Sequence, residues 1–564
     1  MVKLNVSRTP GPGKTATTEE EWTRNPEWLT MPEIAQDSGK ICVLVRVDEN
    51  DDNYVNIYLN GSASNTYTID WGDGSEVTTY NYNSLPEHFY DFNNPALDGT
   101  LTSDGYKQAI FTVTLNNTSD YFPYMDLCRA ASLNTRVYYY VGKQLEVIVA
   151  CPNLNNFRAS TSTSYSPNYV ESIKILSMEV SNLSYTFYGC YNLKNIEIGD
   201  NITWYQDVKQ NKNLNYMFAY CRRLPNDVIH SVVEKLVDTP SGVQRTFIDC
   251  RKLRVAPEMD TSNTTDWYQT FYNCWNLEEV PLYDTSNVTR MQYAFGYCYI
   301  LPYIPLLDLS SCTNIGHMFL SCLNLSTVPK FNTSNVTYAA YTFQSCRLLE
   351  TIPNFDLSSV TNMQNMFAYC YHLKTIPDFD YSSVTGTGFT MTFYSCSNLK
   401  GEITLNTNVT SLYRTFQGTR LEKVTIQGDF ITDYVYACRE TFNGCITFKE
   451  FVVTGTVDTS TTSWFYRFMN SCFEILSHPT FDLSASTRND NICTSNWHRT
   501  SLNFTNINSN FWINNCNFDA SELEDIFTNK LQTVSSRTIY ITNNPGAATC
   551  DRTIATAKGW TVSG

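Results

Sequence analysis

The chain has 564 residues, of which 17% are charged, against roughly 25% in an average soluble protein. Its 39 basic and 55 acidic residues leave a net charge of −16, which repels a phosphate backbone and excludes nucleic acid as an expected partner. Apolar residues make up 42%, with 38 tyrosines and 31 phenylalanines, enough for an extensive core with β-rich character and against disorder as the main state. No run approaches a membrane span, and the first twenty residues hold no apolar segment of the signal-peptide kind. The expectation is a soluble chain made in the cytoplasm, without membrane insertion.

Residues 1–37 contain Pro10, Pro12, Pro26 and Pro32, the acidic run Glu19-Glu20-Glu21, and the aromatics Trp22 and Trp28. That is too little apolar surface for an independent fold, so the segment reads as an extended arm. Trp22 and Trp28 are its candidate docking anchors, because buried tryptophans dominate many interfaces. A loose terminus is the plainer alternative. Gly13-Lys14-Thr15 has the ending of a phosphate-binding loop, but Arg8 stands where the first glycine belongs and no strand leads in.

Residues 38–122 change style. Ile41–Val47 and Val55–Leu59 read as strands, and Trp71-Gly72-Asp73-Gly74 as a tight turn. The stretch Tyr67-Thr68-Ile69-Asp70-Trp71-Gly72-Asp73-Gly74-Ser75 resembles the strand and turn of PKD-like immunoglobulin-type sandwiches, which implies a spacer or docking module. Asp70 and Asp73 are either turn formers or calcium ligands, and turn chemistry is the simpler account.

The longest segment, 123–515, is organised by cysteine. Cys250, Cys274, Cys298, Cys322, Cys346 and Cys370 follow at intervals of 24, and the series extends through Cys190, Cys221, Cys396, Cys445 and Cys472. A fixed period of this size marks a solenoid. Phenylalanine precedes most of these cysteines by three, as at Phe271, Phe295, Phe319, Phe343 and Phe367. Leucine follows by three, and in the regular section an Ile or Val three further on is followed by proline. Thr419 replaces one cysteine, and Met469 replaces one phenylalanine. Each turn is expected to hold a short strand around Leu-x-x-Ile-Pro-x-Phe, a polar corner, and a helical or 3₁₀ segment ending near Phe-x-x-Cys. Stacked about 4.8 Å apart, twelve such turns make a rod roughly 60 Å long. Reduced cysteines in column read as small buried hydrophobes with weak S–H donors. No pair has zinc-site spacing, and His88, His230, His317, His372, His478 and His498 are scattered, so no metal and no cofactor are expected. Asn263, Asn287 and Asn335 sit in Asn-x-Thr/Ser sequons at one corner of successive turns, where Asx turns account for them.

The Met/Thr-Phe-x-x-Cys-x-x-Leu-x-x-Ile/Val-Pro-x-Phe-Asp-x-Ser-Asn/Ser-Val-Thr unit resembles the BspA-type leucine-rich repeats of bacterial surface proteins and phage-encoded virion proteins. The resemblance covers about 180–480, with weaker turns at Cys128 and Cys151. It implies a mainly β leucine-rich-repeat solenoid with short helices, and a binding role without fixing the partner.

In residues 516–564, Ser521-Glu522-Leu523-Glu524 has capping-box spacing ahead of Leu523, Ile526, Phe527 and Leu531, which predicts a closing helix. A strand and turn at Thr538–Gly546, then a short helix and a strand at Trp560–Val562, complete the cap. This ending resembles the terminus of repeat proteins encoded in phage genomes.

No nucleophile elbow and no zinc-protease helix occur, and a paired-carboxylate site would need geometry that spacing does not supply. The expected function is therefore non-enzymatic: a bacteriophage virion component, tail fibre or adhesin-like. Its N-terminal arm contacts other virion proteins in a homo-oligomer or larger assembly, while its solenoid contacts a host-surface glycan or protein. A capsid decoration protein and a bacterial surface adhesin are the alternatives. Tyr272, Trp275, Tyr293, Tyr297, Tyr299, Tyr369 and Tyr371 are the candidate surface-binding aromatics, because flat amphipathic rings suit such contacts. Packing of these rings along the rod is the competing account. No heptad pattern argues for a particular oligomer.

Overall fold

The computed structural model describes residues 22–49, 53–119, 125–127, 132–133, 136–137, 143–159, 169–204, 212–495 and 502–564. Cys128, His498, residues 1–21 and the boundary expected at 122–123 lie outside them. Apart from the antiparallel pair Tyr54–Asn56 with Glu87–Phe89, the longer N-terminal strands share a sheet with the first solenoid strands. One seven-stranded sheet runs in the order Asn195–Trp204, Ser172–Val180, Gln144–Ala150, Lys40–Val47, Lys107–Leu115, Thr66–Asp70, Thr78–Asn81. Its first three strands pair in parallel, as successive solenoid turns must, and every later pairing is antiparallel. Lys40–Val47 is thus the seam where an antiparallel module covers the edge that a parallel ladder would otherwise expose.

Both faces of that seam are buried. Ile41, Val43, Val45 and Val47 point into the main core, whereas Leu44 meets Trp28, Tyr106 and Leu145 on the other side. The outer face is roofed by the chain around Trp28. The Trp28 indole N–H donates to the Tyr106 hydroxyl at 3.0 Å, and Leu29 N–H donates to the Gln108 side chain at 2.9 Å. Arg24 reaches across to Glu146 at 2.7 Å. Trp28 is only 6% exposed, so the docking-anchor reading of Trp28 is corrected: its ring is spent inside the chain, and Trp22 packs against the same cluster. Trp28→Ala is expected to lower the stability of this sheet by about 3 kcal/mol, read as an earlier denaturant transition, while Trp28→Phe should recover most of it.

The solenoid turns obey a rule that the spacing alone does not reveal. Over 267–273 the N–H groups of Trp267, Gln269, Phe271 and Asn273 donate one turn onward, to Arg290, Gln292, Ala294 and Gly296, at 2.8–3.1 Å. The intervening Thr270, Tyr272 and Cys274 donate three residues back. Residues five and one before each cysteine are left-handed, as at Gln269 (φ 57°), Asn273 (φ 64°), Tyr293 (φ 60°) and Tyr297 (φ 61°). Two left-handed residues per turn are incompatible with any right-handed helix. The helical or 3₁₀ segment expected before Phe-x-x-Cys is instead a run of linked turns, whose amides serve the ladder between coils.

The expected strand is longest where proline is absent, and after Pro479 it shrinks to Phe481–Asp482. Lys400–Leu405, Arg420–Ile426 and Glu450–Val453 pair in parallel. Across the regular section only isolated bridges such as Val255↔Glu279 and Arg290↔Asn314 join described turns. Pro281, Pro305, Pro329, Pro353 and Pro377 bring no N–H to the ladder there.

The core is a set of columns. Phe187, Phe218, Phe247, Phe271, Phe295, Phe319, Phe343, Phe367, Phe393, Phe416 and Phe442 stack with centroids 5.2–5.9 Å apart and planes within 20°. The stack ends at the Met469 turn, where Phe442 meets Phe468 at 67°. Beside it run the buried cysteines. Their thiols point to the carbonyl of the preceding turn's phenylalanine: Cys298 to Phe271 at 3.3 Å, Cys322 to Phe295 at 3.1 Å, Cys346 to Phe319 at 3.2 Å and Cys370 to Phe343 at 3.1 Å. Each such carbonyl already accepts the amide of its own turn's cysteine, as Phe271 does from Cys274 at 3.2 Å. Cysteine therefore fits twice, as an apolar filler and as a donor to a second lone pair. At the corners Asp284, Asp308 and Asp356 accept the N–H two residues on, forming the Asx turns. The sequon residues Asn287 and Asn335 do something different, donating to Ser262 and Ser310 of the preceding turn at 2.8 and 2.6 Å.

The C-terminal helix Ala520–Asp525 buries Leu523, and Ile526, Phe527 and Leu531 follow it into the core. Its capping box is Asp519 with Glu522, two residues earlier than expected. The strands Phe511–Trp512, Arg537–Tyr540 and Trp560–Ser563 pair in parallel and close the ladder.

Candidate functional site

The turns around the cysteines expose one flank of the solenoid, and the left-handed residues decide what it shows. A φ near +60° turns the side chain at the position five before cysteine away from the core column. Successive turns place Tyr185, Tyr216, Arg245, Gln269, Tyr293, His317 and Tyr341 there. Tyr185 stacks on Tyr216 at 4.6 Å, and Tyr293, His317 and Tyr341 form a continuous pile at 4.2 and 4.4 Å.

Five of the seven candidate aromatics belong to one cluster. Tyr272 meets Tyr293 at 5.5 Å and Tyr297 at 5.3 Å, both edge to face, and Tyr299 lies 6.0 Å from Tyr297 and 5.8 Å from Trp275. Tyr369 and Tyr371 lie further along, 6.2 Å apart, with Tyr394 at 5.1 Å from Tyr369. All seven are half-buried, packed along one edge and open on another. Burial, with the neighbouring tyrosines second, pushes the Tyr272 hydroxyl up to about 12, so the ring presents a neutral phenol at any physiological pH.

Arginines between the rings were not anticipated from the sequence. Arg251 lies 3.6 Å from the Trp275 ring centre and donates to Asp249 at 2.7 Å, and Arg222 donates to the other oxygen of that carboxylate at 2.6 Å. Arg245 sits between Tyr216 and Tyr268 at 5.3 and 4.9 Å. Arg290 covers Tyr268 at 4.5 Å and grips Asp266 with two nitrogens. The flank continues to Tyr413, Tyr434, Tyr436, Trp464 and Tyr466, which the sequence reading also missed. Counting five residues before the cysteine position finds Arg245, Arg414 and Arg467 but not these rings, which stand six to eleven residues before it.

His317 is the titratable group inside the pile. Desolvation lowers it to about 4, against an ordinary value near 6.5. The unfolded chain takes up this proton as pH falls from about 6.5 to 4 while the folded chain does not, so stability is full above that window and declines through it. Partial exposure and attraction between the imidazolium and the two tyrosine faces reduce the effect to about 1–2 kcal/mol. His317→Gln should flatten the melting temperature between pH 6.5 and 4, leaving values at pH 8 little changed.

Two further places carry titratable groups. In the N-terminal module Asp73 accepts from Ser75 and pairs with His88 at 2.8 Å, and Asp70 accepts from the Gly72 amide. Burial raises Asp73, but the bonds from Ser75 and His88 prevail and hold it below the usual carboxylate value. The turn thus uses both carboxylates itself. Beside the helix Asn226–Leu236, a groove of about 1060 Å³ is lined by Glu234, Asp238, Glu258, Asp260 and Glu279 with Met259 and Leu282. All five acids are exposed, unlike the desolvated proton donor of a glycoside-cleaving pair. No group of three or more His, Cys, Asp or Glu able to hold a metal occurs among the described residues.

Comparison with known proteins agrees with the ladder. The model for the BspA type leucine rich repeat region matches residues 148–254 and 389–481, and a family described as a Mycoplasma protein of unknown function, DUF285, matches 241–302 and 300–407. Over the first two of those segments the chain is similar to BspA-type leucine-rich repeats. No curated protein matches. Among solved structures, the TLR13–ssRNA13 complex is similar at 12% identity and TM-score 0.20, over 73% of this chain and 74% of that chain. An LRR protein of Leptospira interrogans is similar at 10% and 0.19, over 70% and 90%. The plant peptide hormone receptor RGFR1 in complex with RGF2 stands at 10% and 0.19, over 74% and 79%. Overlaps this loose say nothing about partners.

Proposed function

We propose that this chain is a non-enzymatic recognition scaffold, which holds the aromatic and arginine flank of its solenoid against a partner on another surface. The observation that carries this reading is the flank itself. Tyr, Trp and Arg are the residue types that dominate binding energy at interfaces, and here they are preorganised by stacking and ion pairs on a rigid ladder, which reduces the entropy lost on binding. The setting we propose is a bacteriophage particle, attached through the N-terminal end, with the solenoid turned to the host surface. Its support is the resemblance of the repeat and of the C-terminal ending to phage-encoded proteins. Trp275→Ala with Tyr299→Ala should weaken adsorption of the full-length chain to host cells about 100-fold without abolishing folding. Unchanged adsorption would remove the flank from the reading, and failure of antibody labelling to find the chain on intact particles would remove the virion setting.

A further inference from the structure

The flank changes character at its C-terminal end. Toward the N-terminus Arg222 and Arg251 pair with Asp249, Arg290 pairs with Asp266, and Arg245, without a carboxylate, donates to the Gln269 side chain and the Tyr216 hydroxyl. At the turns of Cys445, Cys472 and Cys493 three guanidiniums converge on one ring. Arg439, Arg467 and Arg488 lie 5.7, 5.0 and 4.8 Å from the centre of Tyr466, and Arg439 and Arg488 also cover Trp464 at 5.5 and 4.7 Å. Arg414 joins them through Tyr413, which it shares with Arg439 at 5.4 and 5.8 Å.

Two carboxylates answer these four cations. Glu440 is taken by Arg414, and Asp490 accepts from Arg488 at 2.7 Å. Arg439 stays 3.9 Å from Glu440, beyond hydrogen-bond reach, and Arg467 has no carboxylate or hydrogen-bond acceptor among the described residues. The Nε–H groups of both are shielded from water and have no partner. A buried charged donor left unmade costs more than a neutral one, so two such donors around one ring, Tyr466, mark a place where an acceptor belongs.

Resting on the reading of the flank as the recognition surface, we propose that this end binds a saccharide carrying a single carboxylate or sulfate, with the anion accepted between Arg439 and Arg467. Guanidinium geometry suits a two-oxygen acid group. The neighbouring Tyr434, Tyr436 and Trp464, in edge contact at 5.4 and 4.9 Å, supply flat amphipathic surface for a sugar ring. The chain's net charge of −16 opposes a long polyanion, which favours one acid group over a phosphate backbone.

The test is titration of the full-length chain with 3′-sialyllactose, 6-sulfolactose, neutral lactose and a phosphoserine peptide. Binding of either acidic sugar is expected, with lactose silent, and Arg467→Gln or Arg439→Gln should weaken it about tenfold or more. Arg537→Gln, in the C-terminal cap strand Arg537–Tyr540 and outside the flank, should leave it unchanged, and thermal melts check that each variant folds. Equal binding of lactose, insensitivity to Arg467→Gln, preference for the phosphopeptide, or no binding of either acidic sugar would each overturn the proposal. If acidic sugars fail while Trp275→Ala with Tyr299→Ala still reduces adsorption to cells, only the anion site falls; if both fail, the flank falls with it.

Discussion

Phe295→Ala should destabilise the solenoid by about 3–5 kcal/mol. The ring is fully buried, 5.6 Å from Phe271 and 5.7 Å from Phe319, with planes within 10° on both sides. Its loss leaves a cavity that neither neighbour can fill, because each is held in register by the turn-to-turn bonds on either side of it: Phe271 N–H to Ala294 and Phe295 N–H to Met318. Denaturant unfolding monitored by far-ultraviolet circular dichroism measures the loss. A change below about 1 kcal/mol would show that the column is not the axis of stability. The broken stack should also divide the ladder, since each turn contacts only its neighbours, so a second unfolding transition is the expected companion.

Removing residues 333–356, one whole turn, should leave a folded protein with a lower melting temperature, whereas removing 333–344 should abolish cooperative unfolding. The whole-turn deletion joins Phe331-Asn332 to Leu357-Ser358-Ser359-Val360, which stand in the same phase as Thr333-Ser334-Asn335-Val336. Phe319 then faces Phe367, and Cys370 finds the Phe319 carbonyl that Cys346 had used. The half-turn deletion sets core residues against solvent positions throughout the adjoining coils. Circular dichroism melts of both variants decide it. A folded half-turn variant would mean that the ladder is not specified by the repeat.

Much of the interior was legible from spacing. Cysteines 24 apart, phenylalanines three before them and leucines three after are stacked and buried because period translates directly into column when coils are equivalent. The local conformation was not legible in the same way. Tyr293, Tyr297 and Tyr369 are unusual residues to find left-handed, and no propensity would assign them there; the bonds made between coils impose it. The proline after each Ile or Val was visible, but its consequence, loss of the strand in those turns, follows only once the ladder direction is known.

The sites divide along the same line. Seven aromatics could be named from their nearness to the cysteines, and five of them do meet. Arg251, Arg290 and Arg439 carried no local signal, because what matters about them is the ring or carboxylate one coil away. Trp28 shows the opposite failure: a tryptophan in a proline-rich arm looks available to a partner until Leu44, Tyr106 and Leu145 are found beneath it.

What the sequence determined by itself is the repeat, its register and its buried columns, since one apolar pattern recurring at constant period can bury itself only by stacking. Tertiary structure alone decided the seam at Lys40–Val47, the fate of Trp28, and which arginines are matched by carboxylates. These depend on the pairing of strand edges and charges far apart in the chain, and such contacts are set by the three-dimensional closure of the ladder rather than by any neighbour in sequence.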